Sequence, residues 1–156
     1  ARRRFAAAGT SIAPRATDML RFAYLLLQEG RWKDRRLVPA AYVRHCGRRS
    51  PYNPHYPYSL QFHVNEDGQI PNVPRDAFWK PGSGGHCFYV VPSLDLVIYK
   101  LGGRDDQYDP KNTGMPPVPE SVFRYDGSRE NWKRAVDDRT AWLRTLEMVV
   151  AAVQKQ

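Results

Sequence analysis

Between Ala77 and Gly103 the sequence holds two apolar runs separated by a very short turn, and this pattern constrains the fold more than any other part of the chain. The runs His86–Val91 and Leu96–Leu101 have the length and composition of strands. Only Pro92-Ser93-Leu94-Asp95 joins them. Because a parallel pair needs a much longer crossover, we predict an antiparallel hairpin. The nearly all-apolar second run predicts a strand that is covered on both faces.

Three helices are predicted around this hairpin. The first runs between Pro14 and Gly30, since proline suits the first turn of a helix and glycine its end. Its apolar residues recur at helical spacing and comprise Met19, Phe22, Ala23, Leu26 and Leu27. A shorter helix is expected from Pro39 to about Cys46. The third is expected from about Asp138 to Gln154, with an apolar stripe of Trp142, Leu146, Val149 and Val153.

A period of two appears from Tyr58 to Val64, where apolar and polar residues alternate. This alternation predicts one strand with one buried face. His63 falls on the polar face, where we expect a solvent-facing or hydrogen-bonded side chain. Glu66-Asp67-Gly68 predicts the turn that ends the strand.

These elements predict an α+β fold, an antiparallel sheet flanked by helices. The length of 156 residues suits one ordinary domain. We interpret residues 1–50 as the end of a helical subdomain and residues 51–156 as a C-terminal part of sheet and helix. Within the latter, residues 104–137 have little periodicity and four prolines, which favours a long binding or covering loop.

The net charge of +8 is unevenly distributed, and it bears on possible partners. Residues 1–50 hold 12 Lys and Arg against 3 acidic residues, a balance of +9, so the remainder carries −1. Six of these charges, from Arg15 to Arg36, fall on or beside amphipathic helical pattern, and we expect a solvated basic face rather than a nucleic-acid site. Contact with an acidic partner is the alternative. No apolar run approaches the roughly 18 residues of a membrane-spanning helix, and the N-terminal apolar stretch is too short for a signal peptide.

Two cysteines are too few for a disulfide scaffold, although a single bridge between Cys46 and Cys87 is possible. The pairs His45-Cys46 and His86-Cys87 invite a zinc interpretation. Adjacent side chains point in different directions, however, and no Cys-x-x-Cys is present. We therefore predict neither a metal site nor a cofactor.

Several segments follow one another in a recognisable order: Ala16–Leu27 with Gly30-Arg31-Trp32, Leu37–Val43, the Tyr58 strand, Gly82-Ser83-Gly84-Gly85, Leu94-Asp95-Leu96-Val97 and a terminal amphipathic helix. This order resembles the later portion of the class C β-lactamase-like serine hydrolases, in the superfamily of β-lactamases and penicillin-binding proteins. The likeness covers residues from about Thr10 to Gly103 and the last helix. It implies a partial β-lactamase/transpeptidase-like fold and a chain that is a fragment of one larger domain.

Three motifs carry the chemistry of that family: Ser-x-x-Lys, Tyr-x-Asn and a Lys-Thr-Gly or His-x-Gly triplet on an inner strand. None of the seven serines has Lys three residues later, and no Tyr-x-Asn occurs. The third motif has a degenerate counterpart, Gly82-Ser83-Gly84-Gly85-His86, which we interpret as lacking the usual Lys or His charge. The oxyanion-hole N–H would come from Gly85 in one register and from His86 in the other. The glycines could instead form only the bend that enters the strand.

The resemblance implies a hydrolase of esters, amides or lactams in which this chain supplies one edge of the groove. The nucleophile would come from an N-terminal segment or a second chain, and the substrate would be a small acyl compound. A non-catalytic binding module of the same fold is the alternative. A separate Ser-His-Asp set from Ser83, His86 or His63, and Asp95 is not favoured, since nothing places a carboxylate beside the histidine. Family members are commonly exported, which makes an exported or periplasmic location an expectation from resemblance alone.

Overall fold

The computed structural model describes residues 14–52, 58–82, 86–101 and 141–155. Their helices and strands in chain order are α1 (Ala16–Leu27), β1 (Arg31–Trp32), β2 (Arg35–Arg36), α2 (Ala40–Cys46), β3 (Tyr58–Ser59), β4 (Phe62–Val64), β5 (Phe78–Pro81), β6 (Cys87–Val91), β7 (Leu96–Lys100) and α3 (Ala141–Val153). Strands β3 to β7 form one antiparallel sheet in sequence order. The predicted α+β class is therefore confirmed.

The β6–β7 hairpin is confirmed, with Tyr89 opposite Ile98 and a 3₁₀ turn between the strands. β7 is covered on both faces, as predicted, since Leu96 and Ile98 pack against one apolar cluster and Val97 and Tyr99 against the other. The two strands nevertheless differ in how deeply they are buried. Every residue of β6 is buried, whereas every residue of β7 is only partly buried. The reason is position: β6 lies inside the sheet, and β7 ends its order. The apolar composition of β7 could not reveal this difference.

The chain from Tyr58 to Val64 is two strands, and the prediction of one continuous strand is wrong. β3 and β4 pair as a tight hairpin, with Ser59 opposite Phe62. Leu60 and Gln61 form its turn at φ values of 45° and 78°. Two successive positive φ angles are those of a type I′ turn, which suits the twist of a hairpin. Leu60, expected on the buried face, is 44% exposed.

Two apolar layers cover the two faces of the sheet, because alternate residues of each strand point to opposite sides. One layer joins α1 and α2 to the sheet through Ala23, Leu26, Val43, Phe78 and Phe88. The other joins α3 to the sheet through Trp79, Tyr89, Leu143, Leu146 and Val150. The terminal helix thus packs on the sheet as expected, and Leu146 of the predicted stripe is fully buried, while the side chain of Trp142 lies outside the described residues. Leu143 and Val150 are fully buried, while Val149 and Val153 are only partly buried.

Helix α1 ends at Leu27, and the glycine predicted to stop it, Gly30, closes the turn that follows. The Gly30 N–H donates to Leu25 O at 2.8 Å, and the residue has a φ of +82°. A Cβ at Gly30 would lie 2.2 Å from the carbonyl oxygen of Val38. Only glycine fits both the left-handed backbone and this close approach. The first turn after α1 therefore depends on this one residue type.

A buried amide organises the connection between β4 and β5. Asn65 is 1% exposed. Its Nδ2 donates to Val73 O at 2.9 Å and to Ile70 O at 3.2 Å, and its Oδ1 accepts from Ile70 N at 2.9 Å. The predicted turn at Glu66–Gly68 is confirmed, and the Gly68 N–H closes it on Asn65 O at 2.8 Å. This connection leads directly into β5, the strand next to the candidate site.

The loop predicted over residues 104–137 lies outside the described residues. So do Ser83, Gly84 and Gly85. No helix in the described part of the chain is long and apolar enough to cross a membrane.

Candidate functional site

The candidate turn lies where β5 passes into β6. Pro81 is opposite Cys87 in the last pair of the two strands. Beyond it, the Gly82 N–H donates to His86 O at 2.8 Å. The amide of Gly82 is therefore engaged in closing the hairpin. Of the five predicted site residues, the structure brings Gly82 and His86 together at the end of this hairpin where the chain connects β5 to β6.

The His86 side chain is oriented by β7. Its half-buried ring stacks on Tyr99, with centroids 6.2 Å apart and planes at 16°. A hydrogen bond of 3.2 Å joins the Tyr99 hydroxyl and His86 Nδ1. The imidazole is thus held against the sheet by a neighbour on the next strand. The predicted oxyanion role would use the backbone N–H of His86 and not its side chain. That role remains a prediction.

Lys80 is a candidate site residue that the sequence reasoning missed. It lies on β5 two residues before Gly82, and its Nζ donates to the Tyr58 hydroxyl at 3.1 Å. The same Nζ lies 5.7 Å from the centroid of the Tyr58 ring. Of the ion pairs between described residues, none includes Lys80. A half-buried ammonium that has no carboxylate partner among the described residues therefore lies two positions before Gly82.

A signal for Lys80 was available in the sequence. The triplets examined for the third motif began at Gly82 and at Ser83. Lys80-Pro81-Gly82 has the Lys-x-Gly spacing of that motif two residues earlier. The interpretation that the third motif lacks its positive charge did not include this register, in which Lys80 supplies the charge. Proline at the central position has neither a hydroxyl nor a backbone N–H, so it cannot replace the threonine donor.

Three aromatic rings lie in one row across β3, β4 and β5. Tyr58 is opposite His63, which is opposite Trp79. The His63 ring is nearly parallel to that of Trp79, at 12° and 5.8 Å, and meets the Tyr58 ring edge-on at 4.9 Å. Burial, and then the positive charge of Lys80, lower the pKa of His63 to about 3. His63, which is half-buried, is therefore neutral at neutral pH and packed between its two aromatic neighbours.

The serines of the described residues have structural partners. Ser59 Oγ donates to His45 O at 2.8 Å, which ties β3 to α2. Ser93 Oγ donates to an oxygen of Asp76 at 2.9 Å, at the turn between β6 and β7. Asp95 follows that turn, at the opposite end of β6 from His86. Five strand residues span roughly 16 Å, so Asp95 cannot orient His86 in a catalytic triad.

Neither a disulfide nor a metal site is built from the described cysteines. Cys46 and Cys87 are both free and buried, and they belong to the two different apolar layers. Burial raises the pKa of Cys46 to about 11 and that of Cys87 to about 12. Such thiols are poor nucleophiles and poor metal ligands. Within residues 14–52, 58–82, 86–101 and 141–155, no three His, Cys, Asp or Glu side chains gather as metal ligands.

A cleft of about 240 Å³ lies elsewhere, between α1, α2 and the start of β5. Its walls include Leu26, Val43 and Phe78, and the Arg44–Glu29 ion pair of 3.0 Å is at its rim. Neither Lys80 nor Gly82 lines it. The cleft is therefore separate from the candidate groove.

Part of the basic half of the chain, residues 1–50, is exposed to solvent in the described residues. Six of its cations are exposed: Arg15, Arg21, Arg31, Lys33, Arg35 and Arg36. Four of these lie on the β1–β2 hairpin rather than on a helix.

No protein family, curated protein or solved structure that was compared with the chain matches it.

Proposed function

We propose that this chain is the C-terminal part of a β-lactamase-related serine hydrolase. In this proposal β5 borders the substrate groove, and the turn from Gly82 to His86 lies on the oxyanion side. The nucleophilic serine belongs to an N-terminal segment or a second chain. Its hydroxyl attacks the carbonyl carbon of an ester, amide or lactam, and its proton passes through a base to the leaving oxygen or nitrogen. Water then hydrolyses the acyl-enzyme and releases the acid.

The placement of Lys80-Pro81-Gly82 carries this proposal. The family motif needs a positive charge on an inner strand beside the groove. β5 has a neighbouring strand on each side, and Lys80 on it bears a charge without a carboxylate partner among the described residues. A fixed charge of this kind stabilises negative charge that develops in the transition state or on the substrate.

Covalent labelling of the native particle tests the proposal. The particle is treated with a fluorophosphonate probe, and separately with a fluorescent β-lactam, and every chain present is then sequenced by mass spectrometry. We expect an adduct on the serine of a Ser-x-x-Lys outside these 156 residues. Lys80→Met should slow labelling by about a hundredfold, the typical cost of one removed charge-stabilising group. The exposed Lys33→Met is the matched control and should leave the rate unchanged.

A complete particle that forms no adduct with either probe would refute the hydrolase proposal. One observation favours the second candidate, a binding module without hydrolytic chemistry. The N–H of Gly82 is already bonded to His86 O, and Pro81 contributes no N–H, so two backbone positions of the strand offer no donor to an oxyanion. A particle that binds the β-lactam reversibly, without adduct or turnover, would support this second function.

A further inference from the structure

The hydrogen bond between Lys80 and Tyr58 joins two strands that are not neighbours in the sheet. Tyr58 is on β3 and Lys80 is on β5, and β4 lies between these strands. The bond from Nζ to the phenol oxygen, 3.1 Å long, therefore links two strands that are not paired with each other. A lysine side chain has four rotatable bonds and a high entropy when it is unrestrained. Its direction is here defined by one acceptor.

That acceptor is itself held in place. The Tyr58 ring meets the His63 ring edge-on at 4.9 Å, and His63 is stacked on buried Trp79. The backbone beside it is anchored at Ser59, whose side chain is bonded to α2. The tight turn at Leu60 and Gln61 fixes the distance between β3 and β4. Tyr58 is thus a fixed hydrogen-bond acceptor for the flexible side chain of Lys80.

The charge of Lys80 is not compensated by its described surroundings. His63 is neutral at neutral pH, and the Tyr58 hydroxyl is an uncharged acceptor. An ammonium has three N–H donors, and the phenol uses one of them. Two donors therefore remain for a ligand or for water, in an orientation that the phenol sets.

We propose that Tyr58 is a positioning residue, which acts through Lys80 by holding its ammonium in a single orientation beside the Gly82–His86 turn. Its importance for turnover rests on the proposed hydrolase function. Its control of Lys80 does not, because the hydrogen bond is formed within this chain. The two claims can therefore be tested apart.

The chemical reactivity of Lys80 measures this control without any substrate. The native particle is treated briefly with acetic anhydride, and acetylation of each lysine is quantified by peptide mass spectrometry. Tyr58→Phe keeps the ring beside His63 and removes the hydroxyl. We expect Lys80 to be acetylated about tenfold faster in Tyr58→Phe, since the bond to the phenol holds the half-buried Nζ against Tyr58 and hinders approach of the reagent. Lys33, which is exposed on the β1–β2 hairpin, is the internal reference and should not change.

The exposed Tyr52 supplies a matched control, because Tyr52→Phe removes a hydroxyl from a side chain that is 95% exposed. It should leave the Lys80 rate unchanged. Equal Lys80 rates in Tyr58→Phe and in the unmodified protein would overturn the proposal.

A second measurement needs no variant and serves if Tyr58→Phe does not fold. In ¹⁵N-labelled protein, the Lys80 ammonium protons should exchange with water more slowly than those of Lys33. Exchange at the same rate would overturn the proposal. Slow Lys80 exchange in a particle that forms no serine adduct would refute the hydrolase function and leave the positioning role intact.

Discussion

Replacing Asn65 with alanine should loosen the connection that leads into β5. The side chain is 1% exposed and makes three good hydrogen bonds, to Val73 O, Ile70 O and Ile70 N, at 2.9, 3.2 and 2.9 Å. Alanine would leave these three backbone groups without their partner in a buried site. Each buried unsatisfied group costs about 1–3 kcal/mol, and entry of water recovers part of the cost. We expect a loss of about 3–5 kcal/mol in the free energy of unfolding.

Equilibrium unfolding in urea, followed by tryptophan fluorescence, measures this loss. With a slope of about 2 kcal/mol per molar urea, the midpoint should fall by about 2 M. Asn65→Asp keeps an acceptor for Ile70 N but loses both donors, so it should be at least as destabilising. Gln154→Ala, at an exposed position after α3, is the control for loss of an amide. An Asn65→Ala loss of no more than about 1 kcal/mol would refute the reasoning that this amide holds the connection together.

Three further perturbations test the packing. Gly30→Ala should lower the midpoint of thermal unfolding by about 5 °C or more, because its Cβ would lie 2.2 Å from Val38 O at a φ of +82°; an unchanged midpoint would contradict this. The pKa of His63 falls from 6.5 to about 3 on folding, so the unfolded chain binds the extra proton and stability should drop as the pH falls from 6.5 towards 3, by at most about 1.4 kcal/mol per unit. His63→Phe should flatten this slope in urea titrations between pH 6 and 4.5, and an equally steep slope would exclude His63 as the cause. Cys46 and Cys87 should react with iodoacetamide at pH 8 only on unfolding, since burial raises both pKa values to about 11 and 12; rapid labelling of the folded protein would show that a thiol is accessible.

The candidate site shows which of its residues could be predicted from a short motif and which could not. The glycine turn was predicted from its resemblance to the Lys-Thr-Gly or His-x-Gly triplet. Lys80 was passed over because it lies on β5, a strand that the sequence analysis did not predict. In a strand of four residues bounded by a proline, the pattern is too short to show a period. Only the register between β4, β5 and β6 places Lys80 beside the turn and within reach of Tyr58.

Local chemistry determined the elements that depend on neighbours in the chain. The turn that follows helix α1 closes at Gly30 because the left-handed backbone favours glycine, and the β6–β7 hairpin follows from a turn too short for any other connection. The tertiary structure decided what depends on distant parts of the chain. Burial of β6 rather than β7, the buried face of α3 and the reversal at Leu60 all reflect which surfaces meet in the folded protein. Burial of a side chain depends on those tertiary contacts. An alternation of apolar and polar residues along the sequence indicates the buried face only where the other side of the strand faces water.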